Sequence, residues 1–249
     1  MPLNNESIGI SAEVAIAKTF GLSINSDYAA RAEQPIVNLL MRNNIINTIF
    51  VKENIPVPIK HIAEGQNPID FILSGNKTLS VKTNQNDIGR AAPQYIGQPT
   101  QKTYFNYIQT NNIIPGFNLI SELKNRGLED NYENRAKIFK HLSITYIDTL
   151  IKMYWKNMFD CDYLILFYNL ENLANPLNNY KVFGKQGNCP LINSQYFSFT
   201  QTVASWKESN TLKYRNISIG NFQVHKNRDC FKFRFDMKGI LKLLSQNLI

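Results

Sequence analysis

Apolar residues recur at helical spacing over residues 8–21, where Gly21 ends the run, and again over about 33–48 after a polar loop. The period then changes. Between 68 and 84 two short apolar runs flank Ser74-Gly75-Asn76-Lys77, which predicts two strands and a turn, since Gly and Asn tolerate positive φ while Ile, Leu and Val favour extended backbone. Residues 84–100 are irregular and polar, and helical periodicity returns over 102–109. Residues 132–159 are predicted as one long amphipathic helix with Ile144, Ile147, Ile151, Tyr154 and Met158 on its packing stripe. The run 163–169 is apolar on both faces, as a strand inside a sheet requires. Further strands are predicted at 181–183, 196–200, 213–219, 222–225 and 230–235, with a closing helix at 237–246. No repeat, low-complexity linker or Pro-rich break divides the chain. The expected fold is a single α/β domain over 1–249, a mixed and curved central β-sheet flanked by helices.

A length of 249 residues with 43% hydrophobic content supports a real core and excludes disordered and fibrous classes. The stretch Met1-Pro2-Leu3-Asn4-Asn5-Glu6 has no basic region followed by an apolar one, and the longest apolar run, 163–168, is too short to span a bilayer. A soluble, cytoplasmic protein is expected. Cys161, Cys189 and Cys230 are odd in number and widely separated, which argues for core thiols over disulfides or a zinc knuckle. His61, His141 and His225 stand at no metal-ligand or dyad spacing from another His or Cys, and no phosphate-binding or dinucleotide-binding glycine loop is present.

Net charge is +8, and its placement matters more than its size. From Lys207 onward nine basic residues face three acidic ones, a net +6. In Phe231-Lys232-Phe233-Arg234-Phe235 strand alternation sends both cations to one side. A basic face of this kind suits a polyanion, because each neutralised phosphate releases condensed counterions. The plainer reading is an ordinary solvated face.

Asp70 and Lys82 put a carboxylate and an ammonium on neighbouring strands. A two-residue turn at 75–76 would pair Asp70 with Val81, whereas a three-residue turn at 75–77 pairs it with Lys82 and brings both charges to one face. The plainer alternative is a solvated cross-strand ion pair, worth at most about 1 kcal/mol. Glu13 adds a second carboxylate, on the helical stripe of Ile10, Ile16, Ala17 and Phe20. An unpaired buried carboxylate costs several kcal/mol, so it needs a cation, a hydrogen-bond network or a metal beside it. Both a structural salt bridge and metal binding remain open for Glu13. Asp70, Glu13 and Lys82 suit phosphodiester hydrolysis: two carboxylates hold Mg²⁺, the Val81 carbonyl is a further ligand, and Lys82 helps stabilise developing charge.

Pro68, Asp70 and Ser80-Val81-Lys82 resemble the motif of the PD-(D/E)xK nuclease superfamily, in particular the type II restriction endonucleases of bacteria. One residue separates Pro68 from Asp70 where the family most often has none, and Ser80 stands where the family usually has Asp or Glu. The resemblance implies a restriction-endonuclease-like core, Asp70 as metal ligand and Lys82 as the activating lysine. Some members take the missing carboxylate from a neighbouring helix; Glu13 is the expected substitute, with Glu64 in reserve. Residues 80–84 and 92–100 are also similar to segments of restriction enzymes. In the loop after the strand, Gln94 and Gln98 suit adenine edges and Arg90 suits guanine; Asn84, Lys102, His225, Arg228 and Arg234 complete the expected DNA contacts. Plain loop solvation is the simpler reading for any one of them.

The expected function is therefore a Mg²⁺-dependent, sequence-specific double-stranded DNA endonuclease of a restriction system, leaving 5′-phosphate and 3′-hydroxyl ends as the superfamily does. The catalytic core falls at roughly 8–170 and the basic DNA-contacting part at roughly 196–249. A non-catalytic basic DNA-binding protein and a repair or recombination nuclease on the same fold are the alternatives. Double-stranded DNA is the expected partner and a membrane is not; monomer and homodimer are both compatible with the sequence.

Overall fold

The computed structural model describes residues 5–63, 67–170 and 176–249. The fold is mixed α/β, with two sheets flanked by helices where one central sheet was expected. The chain divides into two compact units, one made of 1–91 and 159–187, the other of 92–158 and 188–249. Among the described residues no helix is long and apolar enough to cross a membrane.

The first unit opens with α1 (Asn5–Thr19), buried on all sides from Ile10 to Ala17. A helix apolar all round belongs inside a core, not on its surface. Gly21, at φ 66°, turns the chain out of it. After α2 (Ser26–Ala29), the helix expected over 33–48 is two, α3 (Gln34–Met41) and α4 (Ile45–Lys52). Asn43 and Asn44 take left-handed φ of 50° and 59° between them, and Asn accepts that region more readily than other side chains. The strands are β1 (Pro58–His61), β2 (Phe71–Leu73), β3 (Lys77–Thr83), the two-residue β4 (Arg90–Ala91), β5 (Tyr163–Phe167) and β6 (Tyr180–Gly184). Five of them form a sheet in the order β1-β2-β3-β5-β6, with β3 and β5 parallel and the other neighbours antiparallel. As expected, β5 lies inside the sheet. Asp162 fixes its register, accepting from the Thr78 N–H at 3.0 Å and from Lys77 Nζ at 3.2 Å, so that Tyr163 lies opposite Leu79.

The second unit carries α5 (Gln101–Thr110), α6 (Leu119–Asn125), α7 (Tyr132–Thr145) and α8 (Ile147–Phe159). The single helix expected over 132–159 breaks at Tyr146, whose φ of −114° and ψ of 32° leave the helical region. Four antiparallel strands follow in spatial order β10-β9-β8-β7: β7 (Phe197–Phe199), β8 (Ser209–Tyr214), β9 (Ile217–His225) and β10 (Cys230–Asp236), closed by α9 (Met237–Ser245). The strand expected over 213–219 is a hairpin tip, because Arg215 and Asn216 both take positive φ. Phe231, Phe233 and Phe235 share the inner face of β10. Phe231 stacks on Phe139 at 4.3 Å and Phe233 on Tyr154 at 4.1 Å. Cys161, Cys189 and Cys230 are free, buried thiols, as expected.

Helix α9 seats on β9 through Gly239, where an added Cβ would lie 1.7 Å from the Ser218 carbonyl oxygen. Backbone cannot yield there as a flexible side chain would. Gly239→Ala is expected to cost about 1–3 kcal/mol in a urea melt, and an unchanged midpoint would contradict this packing.

Candidate active site

Asp70 stands immediately before β2, its N–H donating to the Leu79 carbonyl at 3.0 Å and its carbonyl accepting from Ile62 at 2.9 Å. Leu73 pairs with Lys77, so the turn is Ser74-Gly75-Asn76. It has the expected three residues but starts one position earlier than 75–77, and Asp70 falls beside Ser80 and not opposite Lys82. The reason is local. Gly75 and Asn76 supply the left-handed φ of 72° and 55°, while Lys77 is already extended and opens β3. A partner shift of two residues keeps the face, so Asp70, Ser80 and Lys82 still share one side of the hairpin.

Ser80 has a definite task where a carboxylate was expected. Its Oγ donates to Asp70 Oδ2 at 3.2 Å, and the Val81 N–H donates to the same oxygen at 2.5 Å. Asp70 is only 4% exposed. Burial raises its carboxyl to about 6; the Lys82 ammonium opposes that rise, Glu13 adds to it, and the two hydrogen bonds oppose it. Lys82 is half-buried on the neighbouring strand, where its charge reaches both Asp70 and Cys161.

Glu13 arrives from α1, which packs along β3 closely enough that a Cβ on Gly9 would sit 3.6 Å from Thr83 Oγ1. It is 7% exposed. Its Oε2 accepts from the Tyr28 hydroxyl at 2.8 Å and bonds His61 Nε2 at 3.0 Å. Burial, then the Glu13 charge, then Asp70 keep the Tyr28 hydroxyl far above the usual tyrosine range, so it remains a donor. The stripe argument has Glu13 face inward, and it is buried there; its charge also acts on Asp70. Glu64, the reserve carboxylate, lies outside the described residues.

The donor set fits a hard divalent ion. Each carboxylate has one oxygen held by hydrogen bonds; among the described residues Asp70 Oδ1 and Glu13 Oε1 accept none. Two open carboxylate oxygens with water filling the remaining positions are what Mg²⁺ accepts. Among the described residues no group of three or more His, Cys, Asp and Glu is placed to hold a metal ion.

His61 and Tyr28 are the members that sequence reasoning missed. His61 was dismissed for lack of a His or Cys partner, yet its partner is a carboxylate 48 positions away. It sits at the end of β1, a strand of Pro58-Ile59-Lys60-His61 with too weak an alternation to be predicted.

The expected DNA contacts divide between the units. In the first, Asn84 is committed to its own turn, with Nδ2 on the Ile88 carbonyl at 2.5 Å, and Arg90 is exposed. In the second, Gln94 is half-buried while Gln98, Lys102 and Arg228 are exposed. His225 and Arg234 meet on the Oε1 of Gln223, at 3.2 and 3.1 Å. Thr100 bridges to Cys230, and Phe231 and Phe233 donate to the carbonyls of Pro99 and Gly97, so residues 97–100 run alongside β10. Alternation along that pairing puts Gln98 on the face of Lys232 and Arg234. Lys232 lies on the expected side but is only 8% exposed, and burial lowers its pKa. Burial, then Lys232, Arg228 and Arg234, also lower the pKa of His225.

No family model and no solved structure matches the chain. One curated protein does. The chain is similar to the type II restriction enzyme CviAII of Paramecium bursaria Chlorella virus 1, with 32% identity over 189 residues. The aligned stretch covers 76% of this chain and 48% of that enzyme, so the chain spans about half the length of this relative.

The raised Asp70 pKa carries a sign. The folded protein binds this proton more tightly than the unfolded chain, so the metal-free protein is expected to lose stability as pH rises from about 4 to about 6, the window between the ordinary value of 3.8 and the folded one. The loss is on the order of 2–3 kcal/mol. Urea denaturation in EDTA across this range should show it, and Asp70→Asn should flatten the slope.

Proposed function

We propose that the chain is a restriction endonuclease that cuts double-stranded DNA by Mg²⁺-dependent phosphodiester hydrolysis, leaving 5′-phosphate and 3′-hydroxyl ends. The observation that carries this reading is a buried Asp70 carboxyl acted on by the charges of both Glu13 and Lys82, in a chain similar to a type II restriction enzyme over three quarters of its length. Similarity of sequence suggests the class; the buried carboxylate pair beside a lysine gives it a means of acting.

In this reading Asp70 and Glu13 hold the ion through their open oxygens, and the Val81 carbonyl is a further ligand. Bound there, Mg²⁺ would supply Lewis acidity to the scissile phosphate and lower the pKa of a nearby water. The Val81 and Ser80 donors keep the Asp70 carboxylate aimed, which matters because misplacement by about 1 Å costs roughly 10²-fold. Lys82 orients the attacking water and offsets charge growing on the phosphoryl oxygens. The site sits on a β-sheet and an internal helix, rigid supports that need no reorganisation as charge develops. DNA is gripped by the basic face of β9 and β10, where Gln98, His225, Arg234 and Arg228 supply base and phosphate contacts, helped by Gln94, Lys102 and Arg90. A restriction-endonuclease-like core is the fold this reading assigns to the first unit, and the whole chain, 1–249, acts as the nuclease.

One observation favours a second reading, a basic DNA-binding protein without catalysis: Ser80 replaces the carboxylate the superfamily motif usually carries. The two part on a single experiment. Purified protein incubated with plasmid DNA and Mg²⁺ is expected to give discrete fragments, and Asp70→Ala and Lys82→Ala to reduce cutting by about 10²–10³-fold or more while the variants still fold and bind DNA. Intact plasmid with every divalent metal, from a folded protein that binds DNA, would leave the second reading standing.

A further inference from the structure

Glu13 is held by side chains from two other elements. Its Oε2 bonds two groups from two other elements, the Tyr28 hydroxyl of α2 and the His61 imidazole of β1. Both are themselves fixed. The His61 side chain is 1% exposed, meets Phe71 edge-on with ring centroids 5.1 Å apart, and leans on the Tyr28 ring at 5.2 Å. His61 also pairs across the ladder with Phe71, the residue that follows Asp70. One face of the Tyr28 ring is covered by the Arg31 guanidinium at 5.9 Å, which in turn pairs with Glu6. The three side chains therefore tie α1, α2 and β1 together, with Glu13 close enough for its charge to act on Asp70.

We propose that Tyr28 and His61 are positioning residues for Glu13: by occupying Oε2 they fix the carboxylate so that Oε1 is the oxygen presented to the divalent ion shared with Asp70. This inference rests on the metal-dependent reading above. The physical reason is the geometry Mg²⁺ demands, near-ideal and octahedral, which a glutamate with three rotatable bonds meets only if something else orients it. Groups that orient a ligand from behind are each worth about 10–100-fold in metal affinity. A divalent ion requires Glu13 as a carboxylate, and in that state His61 donates from Nε2, so a side chain with an amide donor at that position can replace it.

The test uses the full chain and Mn²⁺ as probe. Calorimetric titration of Mn²⁺ into metal-free protein is expected to give a Kd about tenfold or more weaker for Tyr28→Phe and for His61→Ala. The Mg²⁺ concentration for half-maximal cutting should move by the same factor, and DNA affinity in EDTA should not change. His61→Gln, whose amide reaches the place of Nε2, should recover most of the loss. If His61→Ala does not fold, Tyr28→Phe, which deletes one hydroxyl, carries the test. Unchanged Mn²⁺ affinity in the folded variants overturns the inference while leaving the nuclease reading intact, and so does a loss that His61→Gln fails to restore. Failure of the unaltered protein to bind Mn²⁺ or to cut DNA overturns both.

Discussion

The hydrogen bond from the Val81 N–H to Asp70 Oδ2 is the constraint on which the site depends. It is backbone to side chain, so it ties the position of the carboxylate to the path of β3 and not to a neighbouring rotamer. With the Ser80 hydroxyl on the same oxygen, it lets a carboxylate sit almost wholly buried at the head of β2. Burying such a group without partners costs several kcal/mol. Here the cost is offset partly by these donors and by the Lys82 charge, and the residue of it shows as a carboxyl raised to about 6.

Glu13 stands under the same constraint from the other side. Between Ile10 and Ala17 the helix has no exposed face on which to carry a charge, and its buried acid is matched by two groups from outside the helix. Tyr28 and His61 thus answer for Glu13 what Ser80 and Val81 answer for Asp70. Among the described residues, each carboxylate has one oxygen held by protein groups and one that accepts no hydrogen bond.

Much of this was legible in the chain. The helical stripe through Ile10, Ile16 and Phe20 placed Glu13 inside, and the alternation around Lys82 placed it on the Asp70 face even though the turn starts one residue early. Parity survived where register did not, because side chains repeat every two residues. The failures have physical causes too. Asn43 and Asn44 fall inside the helix expected over about 33–48 and Asn216 inside the strand expected over 213–219, but they act as left-handed hinges that cut one helix into two and fold one strand into a hairpin. β1 carries so little apolar pattern that its His61 was judged by its sequence neighbours, when its partner is brought by the fold. Lys232 lies on the side its alternation assigned, but no pattern of residues foretold how little water reaches it.

The parallel pairing of β3 with β5 has a consequence for the order in which the molecule is made. Leu79 meets Tyr163, and Asp162 reaches back to Thr78, so the strand bearing Ser80, Val81 and Lys82 waits for more than eighty further residues before its second edge is covered. A chain emerging from the ribosome at about 5–20 residues per second carries that edge open for several seconds. Glu13, Asp70 and Lys82 have all been synthesised by then, yet the sheet that aligns them is incomplete. Closure of the sheet follows synthesis of all three side chains.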